Sequence, residues 1–145
     1  TYIATSQPLD GEMNERVLLH RQRRPDDWGL IEEPLALAAV LRAEAAEGRC
    51  LLVDCLTLWL TNLLMLEDDQ RLAEERDALL ACLEQLPGTL ILVSNETGLG
   101  VVPMGELTRR YVDLAGWLHQ AVAERCQRVV LTVAGLPLIL KGPAL

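Results

Sequence analysis

The sequence predicts an α/β fold built on a mainly parallel sheet. Three observations lead there. Short apolar runs of strand length recur along the chain, helical patterns separate them, and a length of 145 residues suits one domain, 1–145. The composition agrees with a packed core, because 50% of residues are hydrophobic and 23% charged, which excludes general disorder. No apolar run is long enough to span a bilayer, so no membrane partner is expected. A formal net charge of −8 argues against a broad nucleic-acid surface.

The first strand is expected at Tyr2–Thr5, with others at Cys50–Asp54, Thr89–Ser94 and Arg128–Ala134, all in the buried parallel sheet. Asp10–Arg23 follows the first run and places apolar Met13, Val17 and Leu18 among charges, which predicts a helix. Pro34–Glu47 opens with proline at a first helical position and stops at Gly48. Thr57–Leu66 is nearly all apolar and reads as a buried helix, while Asp69–Leu86 is amphipathic and ends before Pro87-Gly88. Glu106–Arg125 is the last long helix, and Leu138–Leu140 reads as a short edge strand. Trp28, Trp59 and Trp117 are expected in the core, and Asp68-Asp69 and Glu74-Glu75 on solvated helix faces.

Cys50, Cys55, Cys82 and Cys126 form no C-x-x-C pair and sit in apolar segments. They read as buried free thiols of a reducing compartment, and with no signal-peptide pattern a cytoplasmic protein is expected. Thr1 runs directly into a strand with no Met before it, so an upstream segment is expected.

Polar residues gather where the strands end: Thr5-Ser6, Asp54, and Ser94-Asn95-Glu96. In open α/β sheets the carboxyl ends of the strands share one crevice, where ligands bind. Leu51-Leu52-Val53-Asp54 resembles a Walker-B strand, whose aspartate handles a nucleotide's magnesium ion. The densest chemistry is Arg16 to Pro25. On a continuous helix Arg16, Arg23 and Arg24 approach His20 at four, three and four residues' separation. Their charge favours the neutral, nucleophilic imidazole, and guanidinium groups suit a triphosphate. A histidine attacking an α-phosphate would expel pyrophosphate and leave a nucleotidyl-imidazole. The same residues also fit a basic helix end complementing its dipole. His119 reads as a packing or hydrogen-bonding residue of the last helix.

Together these segments resemble a known family. The spaced string Ala4-Thr5-Ser6, Asp10, Glu12-Met13, Arg16, His20, Arg24-Pro25 and Trp28 carries the likeness first. Val53-Asp54-Cys55-Leu56-Thr57 with Thr61-Asn62-Leu63-Leu64 carries it next, then Val93-Ser94-Asn95-Glu96 with Gly98, Gly100 and Pro103. Arg109-Arg110-Tyr111, Asp113, Gly116 and Gln120 continue it, and Gly135-Leu136-Pro137 with Leu140-Lys141 closes it. The chain is similar to the bifunctional adenosylcobinamide kinase / adenosylcobinamide-phosphate guanylyltransferases of cobalamin biosynthesis.

That resemblance implies a P-loop NTPase-like three-layer fold with a mainly parallel sheet. It implies phosphorylation of adenosylcobinamide, then GMP transfer from GTP onto that phosphate through a guanylylated histidine, matched here by His20. Nucleotide contacts map onto Ala4, Thr5, Ser6, Arg21, Gln22, Arg23, Arg24, Glu32 and Asp54, with Asp54 also a magnesium candidate. Glu32 or Asp54 would read guanine. GTP, ATP and Mg2+ are the implied nucleotides and metal, and a homotrimer the implied assembly.

The sequence departs from the pattern in two places. The family's first strand and phosphate loop, ending in Gly-Lys-Ser/Thr, are missing: no G-x-x-x-x-G-K-[ST] occurs and the single lysine is Lys141. Without that loop both activities are expected to be severely impaired. His119 stands where similar proteins have asparagine. The rival reading is a non-catalytic GTP-binding or interaction subunit of the same fold.

Overall fold

The computed structural model describes residues 1–7, 25 and 27–144. Within them four strands form one parallel sheet: β1 (Tyr2–Ala4), β2 (Leu30–Glu32), β3 (Cys50–Asp54) and β4 (Thr89–Val93), in the order β2-β1-β3-β4. The intervening helices are α1 (Leu37–Glu44), α2 (Leu56–Met65), α3 (Asp69–Leu83) and α4 (Glu106–Arg125). β5 (Val129–Val133) and β6 (Leu136–Lys141) form a separate antiparallel pair.

Alternation along the strands divides the sheet into two unlike faces. Ile3, Leu51 and Val53 point to one side and are almost fully buried. There they join a cluster with Leu37, Leu41, Trp59, Leu60, Leu63, Leu79 and Leu118 from all four helices. The other side carries Leu30, Ile91 and Val93, which are 36%, 47% and 38% exposed among the described residues. Helix α2 buries Leu56, Trp59, Leu60, Leu63 and Leu64, the spacing of a single helical face. The Trp59 indole anchors it by donating to Leu35 O at 2.8 Å.

Helix starts follow local chemistry. Asp68 caps α3 by accepting from Arg71 N at 2.9 Å. α1 begins at Leu37 rather than at Pro34, because the Glu33 carboxylate takes the N–H groups of Leu35 (2.8 Å) and Ala36 (2.7 Å) and holds that stretch as a turn. The turn into β4 requires glycine. Gly88 has φ +82°, and a Cβ there would lie 2.3 Å from Ala46 O and 2.6 Å from Arg49 O.

Several expectations need correction. The strand at Leu30–Glu32 was not anticipated. Arg128–Ala134 was expected in the parallel sheet. Among the described residues β5 instead bonds only to β6, across a tight turn in which Ala134 (φ 52°) and Gly135 (φ 76°) are both left-handed. Trp59 is core, but Trp28 and Trp117 are 44% and 63% exposed. All four cysteines are free; Cys55 and Cys82 are buried, Cys126 is half-buried, and Cys50 is exposed. The helix expected at Asp10–Arg23 lies outside the described residues. No described helix is long and apolar enough to cross a membrane.

Candidate functional site

Parallel register aligns the carboxyl ends of the sheet. Glu32, Ala4, Asp54 and Val93 form one row across β2, β1, β3 and β4. Residues of one row point to one face, so Glu32 and Asp54 flank Ala4 on the same side, their backbones about 10 Å apart at two strand spacings. Ala4 contributes only a methyl group between the two carboxylates. Asp54 is held from below: Tyr2, two residues back on the neighbouring strand and on the same face, donates its hydroxyl to Asp54 Oδ2 at 2.6 Å.

Thr5 lies just beyond the row and points the other way, fully buried. Its hydroxyl donates to Cys55 O at 2.7 Å and accepts from Cys55 N at 2.9 Å, so the side chain is occupied in joining the ends of β1 and β3. Ser6 is half-buried and continues toward the edge. Asn62 gathers the same loops from helix α2, donating from Nδ2 to Thr5 O (2.7 Å) and Pro34 O (3.1 Å). This clasp was not foreseen, although Thr61-Asn62 stood out as a motif.

A second cluster stands at the end of β4. Ser94 Oγ lies 2.7 Å from His119 Nε2 and 3.4 Å from Thr57 Oγ1. The Thr57 hydroxyl accepts from Asn95 N at 2.8 Å. Glu96 Oε1 accepts from Gly98 N at 2.5 Å, while Oε2 lies 3.8 Å from His119 Nδ1. Beneath this cluster the Tyr111 hydroxyl is buried without a hydrogen-bond partner among the described residues. Burial pushes its pKa up; the nearby Thr57 hydroxyl offsets part of that rise, and Cys55 and Glu96 add to it.

Of the residues singled out in the sequence, Ala4, Thr5, Ser6, Glu32 and Asp54 come together at this edge. His20, Arg16, Arg21, Gln22, Arg23 and Arg24 lie outside the described residues. Among those described, no group of three or more His, Cys, Asp or Glu could hold a metal alone. A single carboxylate such as Asp54 suits magnesium shared with phosphate oxygens and water. A cavity of about 230 Å³ lies at the opposite, amino-terminal edge, lined by Leu86, Gly88, Leu90, Arg125 and Cys126, away from this chemistry.

Comparison with known proteins gives these residues a family. The model of the family described as "Cobinamide kinase / cobinamide phosphate guanyltransferase" matches residues 1–140. The bifunctional adenosylcobalamin biosynthesis protein CobP of Pseudomonas aeruginosa is 71% identical over all of this chain and 84% of its own length. The bifunctional adenosylcobalamin biosynthesis proteins CobU of Escherichia coli and Salmonella typhimurium are each 34% identical, over 97% of this chain and 84% of their own lengths. A match spanning nearly every residue, with the aligned carboxylate row inside it, means that the chain belongs to the cobinamide kinase / cobinamide phosphate guanyltransferase family.

Proposed function

We propose that the protein phosphorylates the aminopropanol hydroxyl of adenosylcobinamide and then transfers GMP from GTP onto that phosphate, giving adenosylcobinamide-GDP. The observation that carries this reading is the row Glu32–Ala4–Asp54, two carboxylates on one face at the carboxyl edge of a parallel sheet. Names of relatives support the substrate, since they are called bifunctional adenosylcobalamin biosynthesis proteins.

His20 is the nucleophile of the transfer step. Its imidazole nitrogen attacks the α-phosphorus of GTP; a P–N bond forms, and the bond to the leaving pyrophosphate breaks. A phosphate oxygen of the corrinoid substrate then attacks the same phosphorus, breaking the P–N bond and restoring the imidazole. Arg21, Gln22, Arg23 and Arg24 hold the triphosphate, and the guanidinium groups offset charge building on the attacked phosphorus. Ala4, Thr5 and Ser6 form the floor of the nucleotide site, with Thr5 acting through its grip on Cys55. Glu32 or Asp54 reads the guanine N1–H and exocyclic amine. GTP or ATP donates the phosphoryl group of the kinase step. Asp54 would hold Mg2+, which when bound neutralises charge on the phosphates.

A homotrimer belongs to the same reading. The highly exposed Leu99, Val101, Met104 and Trp117 offer it apolar surface.

Intact mass of the full-length protein after incubation with GTP and magnesium tests the covalent step. One added GMP is expected, lost in mild acid as a phosphoramidate is, and absent in His20→Ala. GTP binding with no adduct in the unsubstituted protein would overturn it.

A further inference from the structure

The cluster at the end of β4 has an asymmetry that the scheme above does not use. The Glu96 carboxylate is fixed through one oxygen by Gly98 N, while its other oxygen faces the His119 ring across 3.8 Å. That ring is itself set by Ser94 at its far nitrogen, 2.7 Å away, and Ser94 lies 3.4 Å from Thr57. When Ser94 donates to Nε2, the ring proton sits on Nδ1, toward Glu96. Three elements thus aim one half-exposed carboxylate: the loop after β4, helix α4 through His119, and helix α2 through Thr57. Register places it beyond the carboxyl edge, because Val93 is level with Asp54 and Glu96 lies three residues further on.

A serine, a histidine and a carboxylate in contact also suggest a hydrolytic triad. The surroundings argue against that. The N–H groups of Asn95 and Gly98 are already taken, by Thr57 Oγ1 and Glu96 Oε1, so they cannot form an oxyanion hole beside Ser94. Asp54 is a poorer proton acceptor by placement, since Tyr2 occupies its Oδ2.

We propose that Glu96 accepts the proton of the substrate hydroxyl during phosphoryl transfer, and that His119 is the residue that positions it. The inference rests on the kinase half of the function proposed above. In the step, the hydroxyl oxygen bonds to the γ-phosphorus of a nucleoside triphosphate. The bridging P–O bond breaks with its electron pair, releasing nucleoside diphosphate, and the hydroxyl proton moves to the Glu96 carboxylate and on to solvent. GMP transfer starts from a phosphate that carries no such proton, so Glu96 acts in one half-reaction only.

The test uses the full-length enzyme and reads both half-reactions in each variant: phosphorylation of adenosylcobinamide, and formation of the GMP adduct from GTP. Glu96→Gln is expected to lower kcat for phosphorylation about 100-fold or more while leaving adduct formation unchanged. His119→Ala is expected to lower kcat about tenfold with little change in KM, as loss of positioning does. His119→Asn, whose amide can both accept from Ser94 and donate toward Glu96, is expected to recover most of that loss. Phosphorylation by Glu96→Gln within about threefold of the unsubstituted enzyme would overturn the proposal, since a general base contributes far more than that. Equal loss of both half-reactions would overturn it too. An unsubstituted enzyme that forms the adduct but never phosphorylates adenosylcobinamide would instead overturn the kinase reading and this proposal with it.

Discussion

The Tyr2 hydroxyl donates a 2.6 Å hydrogen bond to Asp54 Oδ2, tying the start of one strand to the carboxylate that closes its neighbour. Tyr2 is level with Leu52, so the bond runs along a single sheet face, one pleat repeat toward the carboxyl edge. The orientation of Asp54 is therefore set by the fold itself. Tyr2→Phe removes a hydrogen bond to a charged group, worth about 1.5–3 kcal/mol when well formed. The magnesium concentration for half-maximal activity is expected to rise several-fold, with a smaller change in kcat. A magnesium titration of the variant checks this, and an unshifted curve would separate Asp54 from the metal.

Thr5→Val keeps the shape of the side chain and deletes its hydroxyl. Cys55 N then loses its partner in a fully buried place while Cys55 O keeps Trp59 N, at a cost of about 1–3 kcal/mol. Thr5→Ser keeps both bonds and gives up one buried methyl, about 1 kcal/mol. Urea unfolding of the pair measures the difference. Equal losses would mean that packing, not the double hydrogen bond, joins β1 to β3.

Alkaline stability depends on groups whose neutral forms the fold prefers. Burial raises the pKa of Cys82, Tyr111 and Cys126 above their ordinary values. In the unfolded chain these groups ionise sooner, so the unfolded state releases protons first. Their contribution is complete below the ordinary pKa values and is lost as pH climbs through the raised ones. Stability is expected to fall from about pH 9 upward, the ordinary thiol value. Tyr111→Phe, which also removes a buried hydroxyl without a hydrogen-bond partner among the described residues, is expected to match or exceed the parent by up to about 1 kcal/mol at pH 7 and to lose less above pH 10. Denaturant midpoints across that range provide the check, and parallel pH slopes would contradict it.

The four thiols differ in exposure, so alkylation of the folded protein is expected in a definite order. Cys50 reacts first, Cys126 slowly, and Cys55 and Cys82 only as fast as the fold opens. Time-resolved peptide mapping with iodoacetamide measures this. Early labelling of Cys82 would mean that helix α3 does not pack as described.

The sequence foretold much of the scaffold because apolar runs of five residues and uninterrupted helical spacings are local signals. Cys50–Asp54, Thr89–Val93, Leu56–Met65 and Glu106–Arg125 each carry one. Leu30–Glu32 does not: three residues between Trp28-Gly29 and Glu33-Pro34 hold no period, and the strand exists because β1 clasps it. Tyr2 N bonds to Gly29 O at 2.8 Å and Glu33 N to Ala4 O at 2.9 Å, contacts that no local window contains. The site divides in the same way. Asp54 announced itself by closing an apolar strand, but its partner lies 52 residues away. His119 looked like one more polar residue on a helix, and only its approach to Ser94, 25 residues distant, gives it a role. Asn62 was visible as part of a motif, yet its grip on two loops appears only once β1 and β2 are side by side.

The single lysine has a settled occupation. Lys141 Nζ donates to Ala123 O and to Glu124 O, each at 2.8 Å, closing the last turn of helix α4. Every other side-chain cation here, histidine aside, is a guanidinium, which stays protonated throughout the physiological range and can grip two anion oxygens at once. In the function proposed above, polyphosphate attraction from Arg21, Arg23 and Arg24 will therefore persist at an alkalinity where an ammonium-built cradle fades. Amine-acylating reagents, for the same reason, will loosen a helix terminus here and leave that attraction in place.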